Sequence, residues 1–193
     1  MSNKFVWLVG MCGAGKSEVA KYFTDQGFSY IRFGQITLDE VARRGLEANE
    51  ANERPIREEF REVHGPAAYA ILNIPKFDAA LQQGSVLGDG LYSWSEYKFL
   101  KDKYGDTMVV VAVYASPATR YARLDGRAQR HGEDPKKLYR SFSPAEARSR
   151  DFAEIEKIEK AGPIAMADFT IVNEGTIVEL KLKITEVYNK IIA

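Results

Sequence analysis

The sequence predicts an α/β fold: a doubly wound, five-stranded parallel sheet with helices on both faces. Three observations predict it. The apolar run Phe5-Val6-Trp7-Leu8-Val9 passes through a glycine-rich turn into Glu18 to Phe23, which has helical periodicity. Further short apolar runs alternate with helical segments along the rest of the chain, the order a parallel sheet requires. Three Ser/Thr-x-x-Glu boxes mark helix starts, because the hydroxyl and the carboxylate together satisfy amides left free in the first turn.

Taken in order, Phe5 to Val9 is the first strand and Ser29-Tyr30-Ile31-Arg32 supplies another. Gln35 to Gly45, Glu53 to His64 and Pro66 to Gln83 read as helices. Pro75 is expected to kink or split the last of these, since its ring displaces a backbone hydrogen bond. Ser85 to Asp89 is a short buried strand, followed by the box Ser93-Trp94-Ser95-Glu96. Thr107 to Tyr114 is a near-continuous β-branched run suited to a strand buried on both faces. Pro117 to Arg130 reads as helical, and Ser143-Pro144-Ala145-Glu146 opens another helix with proline at its first position. Asp168 to Val172 is the last strand, and Thr176-Ile177-Val178-Glu179 caps the last helix. With neither an internal repeat nor a low-complexity linker, residues 1–193 are expected to form one domain. Two helical insertions, 35–81 and 120–162, are expected to rise from the C-terminal edge of the sheet.

Composition narrows the partners. Basic and acidic residues number 27 each, which gives no bulk attraction to nucleic acid or anionic membrane. The single Cys12 rules out an internal disulfide or a Cys-rich metal site and suits a reducing cytoplasm. The first apolar run is too short for a secretory signal, and no apolar stretch approaches a membrane span. The lone histidines His64 and His131 lack the spacing for a metal site or a triad and read as surface residues.

Residues Gly10 to Ser17 spell Gly-Met-Cys-Gly-Ala-Gly-Lys-Ser, a G-x-x-x-x-G-K-[ST] loop in its required strand–loop–helix context. Gly10, Gly13 and Gly15, with Ala14 between the last two, let successive N–H groups turn inward onto phosphate oxygens. The start of the helix through Glu18 adds its positive dipole end. Lys16 can bridge the β- and γ-phosphates, and Ser17 can offer its hydroxyl to Mg²⁺, so ATP and Mg²⁺ are the expected cofactors.

These pieces resemble the adenylate-kinase-like branch of P-loop kinases, which includes nucleoside-monophosphate kinases and dephospho-coenzyme A kinases, and the small proteins labelled adenylate-kinase-related or dephospho-coenzyme A kinase-like. The resemblance rests on Gly10–Ala20, Leu87–Leu91, Ala115–Leu124 and Ala167–Thr176, in that order and spacing. It implies that Asp89, in its Asp-Gly, holds Mg²⁺ or steers the acceptor; a turn aspartate is the plainer reading. It also makes Arg123 and Arg127 the start of a lid, with Arg148 next, neutralising charge on the transferring phosphoryl group. Arg120, Arg130 and Arg150 share that insertion, and a salt-bridged surface would account for any one of them. The loop carrying Asn173 and Gly175 is implied to meet the adenine ring, mostly through backbone groups. Where many nucleoside-monophosphate kinases have Pro-Arg after Asp-Gly, this chain has Leu91-Tyr92-Ser93. Tyr92 cannot replace the forked guanidinium that grips an acceptor phosphate, which turns the reading toward a hydroxyl acceptor.

Acceptor binding is assigned to Arg32, Gln35, Arg57, Arg61 and Tyr92. Arg57 and Arg61 are four apart on one helix face, where they can clamp an anion or pair with Glu58, Glu59 and Glu62. Tyr92, Trp94, Tyr97 and Phe99 have the spacing of core residues, Tyr92 being the one placed to face a site. The expected activity is ATP- and Mg²⁺-dependent phosphoryl transfer to a small nucleotide-like acceptor. An ATP-binding regulatory switch without such an acceptor is the rival reading.

Overall fold

The computed structural model describes residues 3–127 and 141–193. Five parallel strands stand in the order β2-β3-β1-β4-β5, with β1 (Phe5–Val9) central, β3 (Val86–Asp89) and β4 (Met108–Tyr114) beside it, and β2 (Ser29–Arg32) and β5 (Phe169–Val172) at the edges. The crossovers are α1 (Lys16–Asp25), α2 (Gln35–Arg43), α3 (Glu50–His64), α4 (Ala68–Gln83), α5 (Trp94–Tyr104), α6 (Pro117–Leu124), α7 (Pro144–Ile158) and α8 (Ala161–Ala165), and α9 (Ile177–Ile192) closes the chain. This is the α/β fold that the alternating pattern predicts.

Side-chain alternation along β1 divides the core into two layers. Phe5, Trp7 and Val9 point to one face, where they meet Phe33, Phe77 and Leu100. Val6 and Leu8 point to the other, against Phe23, Val111, Ile171 and Ile184. Trp7 lies opposite Gly88 in the β1–β3 register, and its ring would stand 2.6 Å from a Cβ there. The small residue on β3 is therefore what lets the indole lie flat on the neighbouring strand.

Local structure departs from expectation at Pro75 and at the start of α3. α4 runs unbroken from Ala68 to Gln83 through Pro75. The missing N–H costs one bond of the ladder, but Tyr69, Ala70, Asn73 and Phe77 are buried along the same helix, and that packing outweighs the local penalty. α3 begins at Glu50 rather than Glu53, because Asn49 caps it by accepting from the Asn52 N–H at 3.1 Å, and Pro55 then falls inside the helix. α6 is helical over Pro117–Leu124 and stops at Asp125, short of the predicted extent to Arg130, of which residues 128–130 lie outside the described residues, as does His131.

All three capping boxes form with both of their bonds. The one opening α5 sits beside the end of β3 and is buried. Glu96 Oε2 accepts from the Ser93 N–H at 3.0 Å and the Tyr92 N–H at 3.2 Å. Burial pushes the Glu96 carboxyl up to about 7, against the opposing pull of those donors. Between its ordinary value of 4.5 and about 7 the folded protein holds a proton that the unfolded chain has released, so stability falls as pH rises through that window. Glu96→Gln keeps an acceptor for both amides and abolishes the titration. Urea unfolding at pH 5 and pH 8 should show wild type losing on the order of 2 kcal/mol that the variant does not lose. Equal losses in both proteins would refute the assignment.

Candidate functional site

The phosphate loop leaves the C-terminal end of the central strand β1 and turns into α1. Gly10, Gly13 and Gly15 hold φ values of 139°, 81° and 104°, which side-chain-bearing residues rarely adopt. A Cβ would also drive Gly10 into the Val113 carbonyl and Gly15 into the Asn173 amide. α1 has Gly15 as its N-cap and no side-chain cap, so its first amides and dipole end stay available to an anion.

Two long-range side chains hold this loop, and a third braces one of them. Asn173, just past β5, donates Nδ2–H to the carbonyl of buried Ala14 at 2.8 Å. Arg123 in turn donates to the Asn173 carbonyl at 3.0 Å and its Oδ1 at 3.3 Å. Arg120 is nearly fully buried and donates to the Cys12 carbonyl at 3.1 Å, the Ala115 carbonyl at 3.0 Å, and both oxygens of Asp151 at 2.9 and 2.5 Å. Four of the five donors of its fork are thus spent within the protein.

A cleft of about 850 Å³ opens over the loop. Of the expected residues it brings together Gly13, Gly15, Lys16, Ser17, Glu18, Asp89, Arg123, Arg127, Asn173 and Gly175. Lys16 folds back so that Nζ donates to the Gly10 carbonyl at 2.8 Å and the Met11 carbonyl at 3.3 Å. Burial draws its pKa below the usual lysine range, with the charge of Lys160 next in size, while Asp89 pulls the other way. Asp89 ends β3 beside the loop, and Tyr30, on edge strand β2, donates its hydroxyl to Asp89 Oδ2 at 2.8 Å. Burial and the Asp89 charge both raise the Tyr30 pKa, so it stays a hydrogen-bond donor.

The other expected residues stand outside the cleft lining. Gly10 and Ala14 act through backbone carbonyls that receive Lys16 and Asn173. Arg32 ends β2 in register with Asp89. Gln35 donates to Asp39 at 3.1 Å, and Asp39 also takes Lys76 at 2.8 Å. Arg57 pairs with Glu50 at 2.5 Å and Glu53 at 3.2 Å, a turn earlier than the glutamates expected. Arg61 lies 5.3 Å from the Tyr69 ring centre. Arg148 lies over Phe152 on an exposed stretch of α7, its guanidinium 5.3 Å from the ring centre. Tyr92 is folded back toward Gly90, beneath the ammonium of Lys160 at 5.1 Å. Sequence reading missed Tyr30 and Lys160, because each meets its partner, Asp89 or Glu154, at no recognisable spacing, whereas Asp151 stands among the carboxylates expected to pair with the insertion's arginines, as it does with Arg120.

The donor set fits the expected nucleotide and ion. Glycine amides, an uncapped helix start and Lys16 suit a polyphosphate. Among the described residues no group of three or more His, Cys, Asp or Glu side chains could hold a metal by itself. A site of one hydroxyl and one carboxylate, Ser17 and Asp89, suits Mg²⁺ completed by phosphate oxygens and water. Also among the described residues, no helix is long and apolar enough to cross a membrane.

Comparison with known proteins agrees with this geometry. Residues 6–149 match the family described as an AAA domain. A UPF0200 protein of Thermococcus sibiricus is 32% identical over 181 residues, covering 93% of this chain and 90% of that one. The UPF0200 protein PH1008 of Pyrococcus horikoshii is 30% identical over 190 residues, 97% of each. Among solved structures, TT1252 from Thermus thermophilus superposes with a TM-score of 0.65 at 14% identity over 98% of both chains. A shikimate kinase from Bacteroides thetaiotaomicron gives 0.58 at 14% identity, covering 98% of this chain and 99% of that one. A dephospho-CoA kinase from Campylobacter jejuni gives 0.53 at 14%, covering 99% and 98%. At that identity they share the fold, a kinase-like P-loop fold broader than the adenylate-kinase-like branch the motifs resemble. Matched along nearly its whole length by relatives of one kind, the chain belongs to the UPF0200 family and carries the AAA-domain P-loop fold.

Proposed function

We propose that this chain is an ATP- and Mg²⁺-dependent phosphotransferase acting on a nucleotide-like acceptor, a nucleoside monophosphate or dephospho-coenzyme A. The observation that carries the reading is the sharing of one cleft by Lys16, Ser17, Asp89, Arg123 and Arg127. The kinase names of the structural neighbours support it. Tyr92, in place of a phosphate-gripping arginine, favours transfer to a hydroxyl. We further read residues 1–193 as one domain working in the cytoplasm, in keeping with the lone Cys12.

In this reading catalysis is positioning and charge compensation. Lys16 exchanges the Gly10 and Met11 carbonyls for β- and γ-phosphate oxygens as ATP enters. The amides of the loop and of the start of α1 take the remaining oxygens. Ser17 and Asp89 would hold Mg²⁺, which when bound neutralises charge on the phosphate chain. Tyr30 fixes the Asp89 carboxylate, so that it presents one orientation to ion or acceptor. Arg123 and Arg127 stand on the α6 side of the cleft to balance charge on the transferring group, with Arg148 further along α7.

The test is ADP release from Mg-ATP with purified protein against AMP, CMP, UMP, GMP, dTMP, their deoxy forms and dephospho-coenzyme A. One acceptor raising the rate by about a hundredfold supports the proposal. ATP binding with no response to any acceptor turns it toward the regulatory reading. Lys16→Ala should lower transfer by about 10²–10³-fold while leaving the melting temperature nearly unchanged. Wild-type turnover in that variant would sink the proposal. For Tyr30→Phe, kcat is expected to fall by about tenfold with little change in the KM for ATP. Unchanged kcat would remove Tyr30 from the positioning of Asp89.

A further inference from the structure

The cleft over the phosphate loop has two arms. Towards β4 and β5 its lining includes Arg123, Leu124, Asn173, Gly175, Ile177 and Leu180, the side where the resemblance puts the adenine ring. Towards β2 the lining is Asp89, Tyr30 and one face of α1. Ser17, Ala20, Lys21 and Thr24 follow helical spacing and so share that face. Tyr22 points away from it, its ring centre 5.5 Å from that of Tyr188 on α9. Beyond Ser17, Asp89 and Tyr30, this second arm has no part in holding the triphosphate.

Its walls suit a second substrate. Tyr30 is 44% exposed although its hydroxyl is fixed on Asp89 at 2.8 Å. A ring pinned at one end and open on its face is a ready plate for another ring, since it has little freedom left to lose on stacking. Ala20 presents only a methyl group along α1, which leaves room beside that plate. Thr24 turns its hydroxyl proton back to the Ala20 carbonyl, so its oxygen remains an acceptor. Lys21 pairs with Asp25 at 2.7 Å, and both side chains are more than half exposed. An exposed pair four apart on a helix is worth little, so an incoming anion displaces Asp25 at small cost.

Direction decides which substrate belongs there. In an in-line transfer the attacking oxygen approaches the terminal phosphorus from the side opposite the departing diphosphate. With the base near Asn173 and the phosphate chain over the loop, that side is the Asp89 end, where this arm begins. The helical insertion offers less. Gln35 is taken by Asp39, Arg57 by Glu50 and Glu53, and Arg61 by the Tyr69 ring, and none of the three lines the cleft.

We propose that the phosphoryl acceptor binds in the groove between α1 and β2, with its hydroxyl at Asp89, a ring on Tyr30 and an anionic group at Lys21. The inference rests on the phosphotransferase reading of the same cleft and names the acceptor's subsite and class. That class is an alcohol carrying both a ring and a negative charge, as a nucleoside 5′-phosphate or its ester does.

Equilibrium binding of dephospho-coenzyme A and of AMP tests it, using the full chain already saturated with a non-hydrolysable Mg-ATP analogue. The analogue keeps both probes out of the triphosphate site. Lys21→Met should weaken probe binding by about fivefold more than it weakens binding of the analogue. Tyr30→Leu, which removes the plate, should weaken probe binding by about tenfold, whereas Tyr30→Phe, which keeps the ring, should stay within about twofold. Unchanged probe affinity in either Lys21→Met or Tyr30→Leu overturns the inference. So does a loss that follows Arg57→Ala or Arg61→Ala instead, which would return the acceptor to the insertion. If Tyr30→Leu does not fold, Lys21→Met decides, since that side chain is exposed and its loss leaves the core intact. Wild-type protein that takes the analogue but neither probe overturns the inference alone and leaves the phosphotransferase reading to the ADP-release panel. Wild-type protein that takes neither analogue nor probe overthrows both.

Discussion

The site depends on a pair of charges that never reaches its surface. Arg120 and Asp151 face each other with two hydrogen bonds, both nearly excluded from solvent, and the same guanidinium also holds the carbonyls of Cys12 and Ala115. One side chain thereby fastens the phosphate loop, the end of β4, helix α6 and helix α7 to a common point. Buried pairs add little net stability compared with apolar packing, yet removing one partner typically costs about 3–5 kcal/mol, because the other charge is stranded. Such a contact defines one arrangement rather than deepening it. The pocket geometry inherits that definition: Arg123 reaches the cleft from α6 and Arg127 from just beyond that helix.

What could be read in the sequence follows the range of the interactions concerned. The loop from Gly10 to Ser17 and the boxes at Ser93, Ser143 and Thr176 are legible because each hydrogen bond joins residues a few positions apart. The sheet is legible because a strand buried on both faces must be apolar almost throughout, as Met108 to Tyr114 is. Pro75 misleads for the complementary reason: its penalty is local, whereas the contacts of Tyr69 and Phe77 that hold α4 straight through it are tertiary. Arg57 shows the limit from another side. Helical spacing rightly puts it beside Arg61, but Glu50 enters the same helix only once Asn49 is recognised as its cap.

The polar groups that complete the site were out of reach for the same reason. Tyr30 meets Asp89 across 59 positions and Arg120 meets Asp151 across 31, with no motif at either end. Arg120 does carry a visible charge, which the sequence leaves open between phosphate and a salt bridge. Burial decides for the salt bridge, by giving it a carboxylate and two carbonyls. Lys160 reverses the case: in sequence it is one more charge in a charged stretch, and only the turn at Glu159 brings it indoors.

The placing of strands in the sheet also sets which parts of the cleft open together. β1 is enclosed by β3 and β4, so its amides can meet solvent only in nearly global unfolding, and the phosphate loop springs from that most protected point. Tyr30 and Asn173 come instead from the two edge strands, β2 and β5, or just beyond, each paired on one side. Sub-global openings that peel an edge strand therefore cost less than melting the centre, and they release the grip on Asp89 or on Ala14 without disturbing the loop's origin. The cleft thus combines a rigid floor with two side walls of lower local stability, and a ligand touching both walls would show itself as slowed amide exchange at the sheet edges, well away from the phosphates it binds.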